Sequence, residues 1–366
     1  MSDSKKPEKT TARSPERRRF LLSAGAAAAS AGFVAHELAT ARPALAESAV
    51  PSRSAQIAAA GDTPIGPKWW PSKWGAEDQA GASNHITPEK VMAAVSLVKT
   101  GKVYSLGQVY EPEMPLFGSR AFAVRIPGAP TGGVFGSNKI IWNDEFLATE
   151  IGQVGTQFDG LGHIGVQVGA DGNQSERRFY NGFHMGEMAG AYGLEKLGVE
   201  NVKPIFTRGT LLDIKGLKGQ TLTAGTEISV ADIEAALQKQ GLSGSDIQAG
   251  DAVVIRTGWS EHWIKDNDTY NGGAPGIGVE AGLWLGEKDV TLVGSDTWPV
   301  EVVPNPDSNL AFPVHQELIT KRGIYLHENL NLEQLAADQR WQFAYVFAPV
   351  PIKGATGSPG NPIAVT

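Results

Sequence analysis

The feature that most constrains this chain is a series of short apolar runs, at 102–106, 121–126, 210–214, 252–257, 290–293, 324–326 and 343–347. Runs of this length read as strands. Several are continuously apolar rather than alternating, as in strands buried on both faces. Helical periodicity is rarer. Thr87 and Pro88 open one helix, with Val91, Ala94, Val95 and Val98 on one face and Gly101 closing it. Ser229 opens another, with Asp232 three residues on, an apolar face of Ile233, Ala236 and Leu237, and Gly241 at its end. Strands outnumber helices, and the pattern predicts an α/β fold. The 44 glycines among 366 residues are interleaved with the apolar runs, which suits a turn-rich globular chain. No internal repeat, heptad or Gly-rich phosphate loop is present, and no break in composition divides the body.

Residues 1–46 read as an address. Arg17, Arg18 and Arg19 precede Phe20 and Leu21, a mild Ala/Gly-rich stretch follows, and Ala44–Ala46 offers an A-x-A cleavage site. Twin arginines before such a stretch look like a twin-arginine (Tat) export signal. The stretch is too short for a comfortable membrane span, so no stable anchor is expected. The expectation is a folded precursor handled by the Tat export machinery, cleaved after Ala46 and delivered to the periplasm. Residues 47–63 read as a flexible linker and 64–366 as one domain. The chain has no cysteine, which excludes a disulfide scaffold, a thiolate metal site and a cysteine nucleophile. Its net charge of −7, without a basic block in the body, argues against a nucleic-acid surface. No Gly-x-Ser-x-Gly elbow is present.

Chemistry-bearing residues gather in two places. The first is QVGTQFDGLGH at 153–163. On an extended segment residues 153, 155, 157 and 159 point the same way. Gln153, Gln157 and Asp159 then converge, with Gly155 leaving room for a ligand, and form a hard, oxygen-rich metal corner. His163, beyond a flexible Gly-Leu-Gly, can turn back over that point as a supporting residue or as a general base. A polar strand edge with a core histidine has the same spacing. The second place is His315 with Glu328, an imidazole and a carboxylate from separate segments that could hold a second metal position. His327 competes with Glu328, because adjacent strand residues face opposite sides. Trp74 and Trp298, beside Gly/Pro-rich segments, are candidates for an aromatic wall against a planar substrate, and His184 is a further pocket candidate.

The block at 153–163 resembles the signature of the metal-dependent cyclase/kynurenine formamidase-like family, His-x-Gly-Thr-His-x-Asp-x-x-x-His. WGAEDQAG at 74–81, NHITP at 84–88, TRGTLLD at 207–213, RTGW at 256–259, GSDT at 294–297 and ENL at 328–330 extend the resemblance over nearly the whole body. It implies a single domain with a mixed, barrel-like sheet, of the swivelling β/β/α type, and a homodimer. It implies a hydrolase of aryl formamides such as N-formylkynurenine, of cyclic amides such as isatin, or of lactones, using one or two divalent ions. By motif position Gln153, Gln157 and Asp159 would hold one metal, Asp159, His315 and Glu328 a second, and His163 would be the general base toward a metal-activated water. Two signature histidines are glutamine here, and imidazole binds zinc far better than a carboxamide. The ion could therefore be Mn²⁺ or Mg²⁺ rather than Zn²⁺, or only the Asp159–His315–Glu328 position could remain. Alternatively the chain is a periplasmic small-molecule binding protein of the same fold without turnover.

Overall fold

A computed structural model describes residues 63–366. The expected export signal at 1–46, and all but the last residue of the expected linker, lie outside the described residues. Nine strands form one mixed sheet that curls into a half-barrel. In chain order they are β1 (Val103–Ser105), β2 (Gln157–Asp159), β3 (Ile205–Asp213), β4 (Ala252–Arg256), β5 (Leu292–Ser295), β6 (Tyr325–Glu328), β7 (Gln342–Phe347), β8 (Gly357–Pro359) and β9 (Ile363–Val365). Their order across the sheet is β1-β9-β7-β3-β4-β5-β6-β2-β8.

The centre, β3 to β6, is parallel, and every flanking pair is antiparallel. Parallel neighbours need long crossovers. The helix Val230–Lys239 lies between β3 and β4, Val279–Glu287 between β4 and β5, and the helical turns from Pro313 to Lys321 between β5 and β6. The first of these carries the expected capping box, with Ser229 and Asp232 bonding reciprocally and Ile233, Ala236 and Leu237 buried. The helix opened by Thr87 is shorter than its periodicity predicts and ends at Val95. The continuous runs are core: Ala252, Val253, Val254, Ile255, Leu292, Val293, Tyr325 and Leu326 are fully buried.

One of the expected strands forms but stays outside the main sheet. Residues Phe122–Arg125 pair only with Phe146–Thr149 in a separate ribbon, and Gly132–Phe135 pairs with Ile140–Trp142 in another. Most of their apolar side chains are exposed, including Phe135, Ile141 and Phe146. Among the described residues no helix is long and apolar enough to cross a membrane.

Candidate metal centre

Strand β2 is three residues long and pairs with β6 in a register that sets Glu328 opposite Gln157 and Leu326 opposite Asp159. Alternation then sends Gln157, Asp159 and Glu328 to one face and His327 to the other. His327 is buried against Phe158 and Phe347, its Nδ1 lies 2.7 Å from the Tyr345 hydroxyl, and burial pushes it down to about 3. The competition between His327 and Glu328 is thus settled by register.

His315 comes from the helical turn Pro313–His315 and meets the same face. Its Nε2 is 3.7 Å from Asp159 Oδ2 and 3.4 Å from Glu328 Oε1. One ligand atom from each of Asp159, His315 and Glu328 lies within 4.8 Å of the others, and all three residues are buried. Asp159 is wholly buried, yet neither of its carboxylate oxygens has a hydrogen-bond partner. A buried carboxylate without hydrogen bonds is costly, and a cation between these three groups would relieve it. The residues therefore fit a divalent ion.

Glu301, which the sequence reading passed over, orients the imidazole. Its carboxylate accepts the backbone N–H of Val314 and His315, and lies 2.5 Å from His315 Nδ1. Nδ1 donates there, and Nε2 is left to face Asp159 and Glu328, the arrangement of a carboxylate-supported metal histidine. Without a metal, burial works against the imidazolium, but Glu301 and Glu328 outweigh it and His315 is pushed up to about 10. Burial, then the charge of Asp159, pushes Glu328 up to about 8. Nothing in the local sequence of Glu301 marks it; only the fold brings it to His315.

The expected alternation stops short of Gln153. Residues 153–156 form a turn, with Gly155 at φ +62°. A side chain on Gly155 would meet the Tyr110 ring at 2.5 Å, so the glycine makes room for an aromatic neighbour as well as bordering the cavity. The turn is pinned by Asn329, whose Nδ2 donates to Gly155 O at 2.6 Å and whose carbonyl accepts from Thr156 Oγ1 at 2.8 Å. Gln153 and Gln157 sit at the centre but spend their carboxamides on other side chains. Gln157 Nε2 donates to Glu328 Oε2 at 2.5 Å. Gln153 Oε1 accepts from Arg120 Nη2 at 3.3 Å, and its Nε2 lies 3.2 Å from His163 Nδ1. His163 Nε2 is 3.8 Å from Asp159 Oδ2. Burial lowers its pKa, as do His315 and Arg120, against the opposing charge of Asp159.

A cavity of about 220 Å³ opens onto Gln153, Gln157, His163, His315 and Glu328. Its walls include Trp298 and also Phe117, Phe312, Tyr270 and Arg120, which the spacing of motifs did not reveal. Phe117 stacks on Trp298 with centroids 4.5 Å apart. Trp74 and His184 do not line it. Trp74 packs edge-on against His85 under Lys73, in a separate depression with Trp69 and Tyr180. His184 precedes the short helix Met185–Met188 and lies 3.8 Å from Glu187. The loop after Trp74 packs on the start of β6, with the Tyr325 hydroxyl donating to Ala80 O, on a side of the molecule that the cavity does not reach.

The sequence model of the family described as Putative cyclase matches residues 104–302 of this chain. A crystal structure of a novel cyclase is 36% identical over 80% of this chain and 96% of its own, with a TM-score of 0.69. The chain belongs to the cyclase family. Isatin hydrolase A from Ralstonia solanacearum has the same fold, at 22% identity over 76% of this chain and 98% of its own, with a TM-score of 0.52. Isatin hydrolase A from Labrenzia aggregata, bound to benzyl benzoate, is 20% identical over 72% and 93%, also at 0.52. No curated protein matches this chain.

Proposed function

We propose that this protein is a divalent-metal-dependent hydrolase of a small aryl amide, cyclic amide or lactone. The observation that carries the reading is Asp159, buried with both oxygens unpartnered beside His315 Nε2 and Glu328. Asp159, His315 and Glu328 would hold the ion, which would supply Lewis-acid polarisation of a carbonyl and a lowered pKa for water. One imidazole and two carboxylates suit manganese or zinc, with magnesium third. Glu301 keeps His315 in the ligating tautomer. Phe117, stacked on Trp298, and Phe312, edge-on to Trp298, supply aromatic surface that suits an aryl ring. His163, with Nε2 toward Asp159, is the group placed to exchange a hydrogen bond or a proton with the reacting atoms. Isatin or N-formylkynurenine would fit such a cavity in kind, and the isatin hydrolases share the fold.

The test is metal analysis of untagged protein, followed by turnover assays with isatin, formanilide and an aryl lactone after chelation and after adding back Mn²⁺ or Zn²⁺. The expected result is near-stoichiometric metal and metal-dependent hydrolysis of at least one probe. Asp159→Asn should lose metal and turnover together, because the amide cannot supply the charge. Full metal content and turnover in Asp159→Asn would place the site elsewhere. Tight binding of these probes without turnover would favour a binding protein.

A further inference from the structure

The carboxamide of Gln153 stands between two side chains of different hydrogen-bonding capacity. Arg120 carries donors only. Its contact with Gln153 at 3.3 Å therefore turns the amide oxygen toward the guanidinium and the amide N–H₂ toward His163. That N–H₂ lies 3.2 Å from His163 Nδ1. Two donors cannot share this contact, so Nδ1 must accept and the ring proton must sit on Nε2. An imidazolium would set N–H against N–H, as would the Nδ1–H tautomer. Nε2 faces the metal corner, with Asp159 Oδ2 at 3.8 Å, beyond hydrogen-bond length.

We infer that Gln153, oriented by Arg120, holds His163 as the neutral Nε2–H tautomer. His163 then meets the substrate as a hydrogen-bond donor to the oxygen that gains charge, and not as the general base that its motif position implies. Gln153 is a positioning residue in this scheme. The glutamine at a signature histidine position thereby acquires a role distinct from metal binding. No proton leaves His163: the Nε2–H hydrogen bond strengthens as the carbonyl oxygen becomes negative, in the manner of an oxyanion-hole donor. The inference rests on the reading that the Asp159–His315–Glu328 corner is where substrate reacts.

Nitrogen-15 NMR of histidine-labelled full chain tests the tautomer directly. The chain has only 7 histidines, so His163→Gln assigns the signal. In both metal-free and zinc-loaded protein at neutral pH, His163 Nδ1 should show the shift of an unprotonated ring nitrogen and Nε2 that of a protonated one. A proton on Nδ1, in either the other tautomer or the cation, overturns the inference whether or not any substrate is turned over. Gln153→Glu replaces the donor by an acceptor and should move the proton to Nδ1 with metal content unchanged. Kinetics with isatin or formanilide then separate donor from base. His163→Gln keeps an N–H near the Nε2 position and should stay within about tenfold of wild type. His163→Leu should lose about 10²–10³-fold in kcat, the cost of removing one such donor. Equal loss in both variants, with metal and fold retained, would restore the general-base role. If wild type hydrolyses no probe, the hydrolase reading fails, while the NMR result still decides the tautomer.

Discussion

Asp159, His315 and Glu328 place two carboxylates and one imidazole in a space without water-exposed relief, and their protonation records the cost. In the metal-free protein His315 is held up to about 10 against 6.5, and Glu328 up to about 8 against 4.5. Both shifts are upward, so the folded chain binds more protons than the unfolded chain through neutral and mildly alkaline pH. Stability must then fall as pH rises across that window. For His315 the contribution is complete below its unfolded pKa and is lost as pH rises through the folded value. For Glu328 the raised pKa likewise disfavours the folded state as its carboxyl ionises. The melting temperature of chelator-treated protein should therefore drop between about pH 7 and 9, where neither the lowered His327 nor the lowered His163 titrates. Saturating metal should flatten that slope, because the ion takes the place of the protons. A metal-free melting temperature that rises over this window would contradict the assignment of these groups as neighbours.

At the scale of elements, the centre depends on one short strand and one turn. Strand β2 contributes Gln157 and Asp159 through its pairing with β6 and β8. The turn before it is shaped by Gly155, which combines φ +62° with a ring 2.5 Å from where a Cβ would stand. Gly155→Ala should cost about 1–3 kcal/mol in denaturant unfolding, the usual penalty of overpacking with added backbone strain. It should also weaken metal retention by displacing Gln157. Unchanged stability and metal content would show that the turn is freer than its contacts indicate. The exposed ribbons at 122–149 pose a different question. Val124, Val134, Phe135, Ile140, Ile141, Trp142, Phe146 and Leu147 are all exposed, a concentration of large apolar side chains that a monomer surface rarely carries. The homodimer implied by the family resemblance would need such a surface. Phe135→Lys with Ile141→Lys should shift light-scattering mass from dimer toward monomer, and a wild-type monomer at micromolar concentration would refute the expectation.

For the molecule as a whole, the parallel centre β3–β6 and its crossovers set Glu328 at the carboxyl end of β6, where ligands gather in such sheets. The twin-arginine export signal expected at residues 1–46 is a separate proposal. Arg17→Lys with Arg18→Lys preserves charge but loses guanidinium geometry, and should strand the precursor in the cytoplasm. Normal delivery of that variant to the periplasm, followed by fractionation and blotting, would reject a twin-arginine signal. Much of the rest was legible in the residues themselves. Continuous apolar runs marked the buried strands, Ser229 with Asp232 marked a helix start, and QVGTQFDGLGH carries Asp159 of the candidate centre. These signals are local: they depend on periodicity, capping chemistry and side-chain type, all of which are set within a few residues. What tertiary structure alone decided was every relation between distant segments. Register chose Glu328 over His327, because a one-residue step reverses the face of a strand. Folding brought Glu301 to His315 and Arg120 to Gln153, and turned Trp74 and His184 away. It also left the run at 121–126 outside the core, since an apolar strand is buried only if another layer packs on it. Hydrogen-bond direction and burial are properties of such encounters, and they decide what Gln153 and His163 do.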